Sequence, residues 1–215
     1  MSRSRAEKPA AKRDTYHHGD LRRALLEAGR DVVAERGVDG LSLREVARRA
    51  HVSQAAPYHH FADKAELVSA IVQGGFDDFA SALRAGAEEA GESALARLTA
   101  MGLIYVRFAV DQPEVFRLMF RPELRLVEPG PTADAIEAAG LASYQVFRDA
   151  VEAAIREGSV QGQLDDVALA AWSIAHGLAT ILVDGPVGLS GRTPDELATV
   201  VLLALGAGIA SGRMP

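Results

Sequence analysis

The stretch S-L-R-E-V-A-R-R-A-H-V-S-Q-A-A-P-Y-H-H-F, from Ser42 to Phe61, decides the fold of this 215-residue chain. A serine ahead of an apolar-periodic run marks a helix start, because its hydroxyl can take one of the backbone N–H groups that a first turn leaves without a partner. Ser42 stands in that place, Glu45 completes the capping-box pattern, and a helix is predicted from Leu43. Leu43, Val46 and Ala47 fall on one face of it, while Arg44, Arg48 and Arg49 occupy the other. His51 and Val52 make a turn, with Val52 as its apolar plug, and Ser53 caps a short helix from about Gln54. Pro57 sits in the first turn of that helix, where a missing N–H costs at most one bond. Phe61 returns to the core, and Asp63-Lys64-Ala65-Glu66 repeats the cap-plus-glutamate signature to launch a long helix. Two short helices around a tight turn, one face packing and one cationic, are a helix-turn-helix, and that unit predicts DNA binding.

Outward from this unit the chain reads as helix throughout. Upstream, Asp20 is a good N-cap, Leu21, Leu25, Ala28 and Val32 share a face, and Gly37 ends the run. Downstream, Leu67, Val68, Ile71, Val72, Phe76, Phe79 and Leu83 recur at helical spacing, so the long helix should connect two domains. Further helices are predicted over about 93–110, 112–121, 133–157, 165–184 and 194–211, the last opened by the cap, N1 proline and glutamate of Thr193-Pro194-Asp195-Glu196. Glu128-Pro129-Gly130-Pro131 and Gly185-Pro186-Val187-Gly188 are loop sequences. No period-2 apolar segment is long enough to assert a strand. The expectation is an all-α chain of about nine helices: a flexible basic arm over 1–14, a three-helix reading domain over 15–65 and a helical bundle over 66–215.

Charge divides at the same place. The net charge of −6 hides 13 Lys+Arg against 9 Asp+Glu over residues 1–64, net +4, and 10 against 20 over the rest, net −10. Every lysine lies at or before Lys64 and five of six histidines at or before His60, so the potential that attracts phosphate is confined to one end. The chain has no cysteine, which leaves no disulfide, thiolate or Cys-based zinc chemistry, and its first 14 residues are polar with no apolar export segment. A cytoplasmic protein without a membrane span is expected. His17-His18 and His59-His60 are adjacent pairs whose members point apart on a helix, with no Cys or spaced carboxylate to complete a site, so neither metal nor cofactor is expected.

The segment V-S-Q-A-A-P-Y-H-H-F-A-D-K, Val52 to Lys64, closely resembles the recognition segment of the tetracycline-repressor family of bacterial transcription regulators. The likeness extends upstream through Y-H-H-G-D-L-R-R-A-L-L-E-A-G, Tyr16 to Gly29, and covers roughly the first 65 residues. Q-P-E-V-F-R-L-M-F, Gln112 to Phe120, and W-S-I-A-H-G-L-A-T, Trp172 to Thr180, look like a subgroup whose C-terminal domain is named for Trp, His and Gly. By the family pattern Tyr58 contacts the DNA backbone, where its phenol can donate to phosphate. Gln54 carries both donor and acceptor and suits bidentate contact with adenine, or else faces solvent in a first turn. Ala55 and Ala56 offer only apolar contact, so specificity leans on DNA shape. The expected DNA-contacting set is Ser42, Arg44, Ser53, Gln54, Ala55, Pro57, Tyr58, His59 and Lys64.

The last two helices are rich in Ala and Gly among Leu, Ile and Val, too apolar all round for a solvated pair. They pack either in an ordinary core or, as the resemblance implies, in a two-fold dimer that brings two reading heads together. Trp172, His176 and Gly177 invite a cofactor-box reading, but core packing explains them, with Gly177 permitting a close helix crossing. Tyr105, Phe108, Phe116, Met119, Phe120, Tyr144, Phe147, Trp172 and His176 are the candidate lining of an apolar ligand pocket, or equally core. The expectation is a dimeric repressor, not an enzyme, released from a palindromic double-stranded operator by a small-molecule effector. The alternative is a helical partner-binding protein whose helix-turn-helix no longer reads DNA.

Overall fold

The computed structural model describes residues 18–120, 130–185 and 191–210, so the arm expected over 1–14 lies outside the described residues. Among the described residues eight α-helices follow one another: α1 His18–Arg36, α2 Leu43–Arg49, α3 Lys64–Glu89, α4 Ala94–Asp111, α5 Pro113–Phe120, α6 Pro131–Arg156, α7 Leu164–Asp184 and α8 Pro194–Ala210. Two 3-10 turns, Val38–Gly40 and Ala56–His59, lie between them, and no strand occurs among the described residues. The all-α architecture and the five later helices stand where the sequence places them, within two residues at each described end.

Three local readings are corrected. α1 begins at His18, so Asp20 lies inside the helix and does not cap it. The element after the turn is not an α-helix from Gln54 but the 3-10 turn Ala56–His59, and Ser53 gives it no side-chain cap. The cause is Pro57, which has no N–H to return to the carbonyl of Ser53; Ala56 N–H takes that carbonyl at 3.0 Å, and the chain tightens into i to i+3 bonding through Tyr58 N–H to Ala55 O at 3.2 Å. Glu45 does not close a capping box at Ser42. Its carboxylate accepts from Arg48 Nε at 2.8 Å, while Ser42 Oγ takes Glu45 N–H at 3.2 Å.

The turn itself is a Schellman closure. Val52 N–H reaches Ala47 O at 3.0 Å and His51 N–H reaches Arg48 O at 3.3 Å, with His51 in the left-handed region at φ 55°. Asp63 caps α3, accepting from Glu66 N–H at 2.9 Å, and Glu66 takes Ala62 N–H at 2.7 Å. At α8 the box is reciprocal, with Thr193 N–H to Glu196 at 2.7 Å and Glu196 N–H to Thr193 Oγ1 at 3.2 Å.

α3 is the axis of the packing. Leu67, Val68, Ile71, Val72, Phe76, Phe79 and Leu83 are all buried, and each contributes roughly 1.5–3 kcal/mol gross on leaving water. They belong to one contiguous core running from Leu25 and Val46 near the turn to Ala171 and Ala179 on α7. Gly75 lets α5 press close: a Cβ there would stand 2.9 Å from Met119 Sδ and 3.0 Å from Val115 Cγ1. Gly177, read from sequence as a close crossing, meets nothing within 4 Å, because it lies on the side of α7 facing away from this chain's own helices.

Ion pairs tie helix ends. Arg107 forks onto Asp195 in the first turn of α8 at 2.9 and 2.7 Å, and Arg148 reaches Asp165 in the first turn of α7 at 2.8 Å. Arg117 of α5 donates to Asp184 at 2.6 Å, to Val183 O at 2.8 Å and to Glu114, covering the negative end of α7's dipole. Arg30 of α1 bonds Asp78 of α3 at 2.5 Å. Arg117→Ala is expected to destabilise the chain by about 1–2 kcal/mol, since it removes charged hydrogen bonds from a partly exposed site. A thermal melt reads this as a fall of about 2–4 °C per kcal/mol, and an unchanged melting temperature would show that the tie is worth nothing net.

Candidate DNA-reading head and ligand cavity

The 3-10 turn sorts its side chains by face. Gln54, Ala55, Tyr58 and His59 are exposed, Tyr58 by 53 %, whereas Pro57 is buried and Phe61 lies in the core with Arg22 5.4 Å above its ring. A large aromatic left open to this degree beside a glutamine and a histidine makes an outward surface of donors, and Pro57 holds it from beneath. Ser42 is exposed, and its Oγ accepts from the backbone, so its hydroxyl hydrogen remains to donate outward. Lys64, first residue of α3, is half-buried, and Ser53, beside Gln54 in sequence, is exposed.

The cationic face of α2 is less charged than its sequence suggests. Arg49 forks onto Glu35 of α1 at 2.7 and 2.5 Å, and Arg48 forks onto Glu45, which Arg36 also approaches at 3.4 Å. Arg49 thereby ties α2 to α1 while Arg48 is held within α2, and both guanidinium groups are held above their usual range by the carboxylates they bond. Arg44 is exposed and makes no ion pair among the described residues. Of the three arginines it is the one left for phosphate.

A cavity of about 490 Å³ opens in the bundle. α3 supplies Phe76, Phe79 and Leu83, α4 Tyr105, α5 Met119 and Phe120, α6 Ile136, Glu137, Gly140, Leu141, Ser143, Tyr144 and Phe147, and α7 Leu169 and Trp172. Six of the nine residues marked from sequence are in this wall: Tyr105, Met119, Phe120, Tyr144, Phe147 and Trp172. Phe108 and Phe116 are core instead, Phe108 5.1 Å from Phe79 and Phe116 4.9 Å from Phe120. His176 stands behind the wall, stacked on Trp172 at 5.2 Å and 2.9 Å from the Tyr105 hydroxyl. Burial pushes the Tyr105 phenol above its usual range and His176 below its own, so a neutral phenol and a neutral imidazole share this bond.

Phe76, Phe79 and Leu83 were legible only as core of a long helix, since wall and core share one apolar period. Glu137 escaped notice because a lone glutamate on a helix carries no motif.

Helical layers, a capped helix-turn-helix and a walled cavity define a DNA-binding transcription regulator of the one-component kind. The family description "Bacterial regulatory proteins, tetR family" matches residues 25–71 and "Tetracyclin repressor-like, C-terminal domain" matches residues 98–205. The chain belongs to the tetracycline-repressor family. It is 28% identical over 142 residues to the HTH-type transcriptional repressor KstR2 of Mycobacterium tuberculosis, covering 66% of this chain and 70% of that protein. Among solved structures it resembles a protein of unknown function from Rhodococcus sp. RHA1, with a TM-score of 0.79, 36% identity and coverage of 92% and 99%. AibR, solved in complex with isovaleryl coenzyme A and operator DNA, shares the fold at a TM-score of 0.64 and 21% identity, covering 87% and 97%.

Two outcomes test the head. Gln54→Ala is expected to relax preference at one base position by ~1–3 kcal/mol, while Lys64→Ala weakens binding to all sequences and lowers the salt slope by about one; competition among operator variants at several salt concentrations separates them, and an unchanged ranking with Gln54→Ala removes Gln54 from base reading. The second is acid sensitivity. The Arg48 guanidinium holds the Glu45 carboxyl down from 4.5 to about 2, so its stabilisation is complete above 4.5 and is lost as pH falls toward 2. Glu45→Gln is expected to flatten the dependence of folding stability on pH across that window, measured by denaturant titration.

Proposed function

We propose that the chain is a homodimeric repressor that binds a roughly palindromic operator through two heads and releases it when a small molecule occupies the cavity between α3 and α7. The observation that carries this reading is α3 itself. One unbroken helix bears Lys64 at the edge of the reading surface and Phe76, Phe79 and Leu83 in the cavity wall. Displacing the wall displaces the head, because a close-packed core transmits strain. Tyr58, Gln54, His59, Ala55, Ser42, Ser53, Arg44 and Lys64 form the DNA surface in this reading, with Pro57 as its support.

The dimer forms through α7 and α8. Leu203 is 59 % exposed, with Ile181 and Val200 also open, and Gly177 meets nothing within 4 Å in its own chain. α7 is long and apolar enough by length and composition to cross a membrane, yet its alanine stripe packs inside the bundle, so a second copy is the better cover for its outer side. The protein works in the cytoplasm, where its operator is. His176, the acid–base candidate outside the head, is engaged by Tyr105, which favours regulation over catalysis. Names of relatives support the direction: KstR2 is a repressor, and AibR binds an acyl-coenzyme A together with operator DNA.

Light scattering is expected to give a dimer, and half-sites should lie near one helical turn apart, about 34–36 Å, or a multiple. A monomer that still binds specifically would overturn the dimer, and the absence of any mobility shift would favour a protein that has lost DNA reading. The switch is tested by reciprocity: operator must weaken effector binding by the factor by which effector weakens operator binding. Calorimetry with and without operator that gives equal effector affinity would refute it.

A further inference from the structure

We infer that the effector is a lipophilic cation, held by the aromatic walls of the cavity and by the carboxylate of Glu137; this deepens the proposed switch and rests on it for the meaning of occupancy. The lining is aromatic and aliphatic, and among its described residues Glu137 carries the only charge. Glu137 is exposed and forms no hydrogen bond or ion pair among the described residues, so its charge remains available to an incoming group. Of the other polar side chains, Ser143 Oγ donates to Gly140 O at 2.7 Å and the Tyr105 hydroxyl meets His176, and the Tyr144 hydroxyl and Trp172 indole N–H are the wall's remaining polar groups, both neutral.

These features discriminate ligands by charge. An anion entering would lose its water and meet ring faces, which are negative, and a carboxylate, which repels it. A cation finds the opposite: an aromatic ring of the wall attracts it wherever a face is met within about 6 Å, and Glu137 neutralises it. The volume of about 490 Å³ suits a molecule of drug size, larger than a simple ammonium ion. The surrounding domain adds a field of the same sign, since residues 65–215 carry 20 Asp+Glu against 10 Lys+Arg. No cation among the described residues of this wall matches the phosphates of an acyl-coenzyme A such as AibR binds.

Trp172 is the only tryptophan of the chain and lies in the cavity wall, so its fluorescence reports occupancy directly. The full-length protein is titrated with tetraphenylphosphonium and with tetraphenylborate, which share size and shape and differ in charge, and with isovaleryl coenzyme A. Saturable quenching by the phosphonium, at least about tenfold tighter than by the borate, is expected, with Glu137→Gln weakening the cation about tenfold and leaving the borate no worse. Because Glu137 is exposed, that variant should fold; its far-ultraviolet circular dichroism and melting temperature check this. Equal or tighter binding of the borate or the coenzyme A ester, no quenching by the phosphonium, or an unchanged phosphonium affinity in Glu137→Gln overturns the inference. An operator mobility shift keeps the two readings apart. Charge-selective phosphonium binding that leaves operator affinity untouched supports the ligand class and refutes the switch, whereas operator release by the coenzyme A ester alone overturns the ligand class and upholds the switch.

Discussion

Burial of the apolar face of α3 is the constraint on which the molecule depends. Leu67 and Ile71 close the core beneath α1 and α2, and Phe79 and Leu83 close it among α4 and α6, so one helix is a member of both packing arrangements. At 1.5 Å per residue, Lys64 and Leu83 are roughly 30 Å apart along a single rod. Its start is pinned by Asp63 and Glu66, and its middle is tied to α1 by Arg30 and Asp78. A rod clamped in this way cannot bend cheaply within a dense interior, so a change at one end is felt at the other.

The reading head trades charge for rigidity. Arg48 and Arg49, which sequence alone offers to phosphate, are committed to carboxylates: Arg48 to Glu45 within α2, and Arg49 to Glu35, which fixes α2 against α1. What remains outward is a small set of unlike groups: Arg44 as a cation with half-buried Lys64 beside it, Tyr58 as an amphipathic donor, Gln54 as an amide. Such a surface depends on exact placement more than on a strong field, and the Schellman turn at His51 and the Pro57-tightened 3-10 turn supply the placement.

The aromatic cluster of the bundle performs two tasks with one kind of side chain. Phe108 and Phe116 fill space, Phe120 and Tyr105 stand between filled and open space, and Tyr144 and Trp172 face the opening at 6.2 Å from each other. The Tyr105–His176 bond gives this cluster a fixed polar joint behind the wall, satisfied within the protein and therefore indifferent to water.

Local rules were sufficient for most elements. Caps at Ser42, Asp63 and Thr193, the apolar period of 67 to 83, and the prolines and glycines between segments placed the later helices within two residues at each described end, because caps and periods act over one or two turns. They failed where a single residue met two demands: Pro57 allows a helical turn but removes the bond an α-turn needs, and Glu45 has the capping-box position but prefers the stronger charged partner Arg48. The candidate DNA surface was legible because its residues lie within 23 positions of one another, from Ser42 to Lys64. The cavity was not, since it gathers side chains from five helices between Phe76 and Trp172, and an aromatic residue on an apolar face looks the same in sequence whether its neighbour is another ring or empty space. Only the crossing of the helices decides that, and with it whether Glu137 is one more solvated charge or a charge beside an aromatic wall.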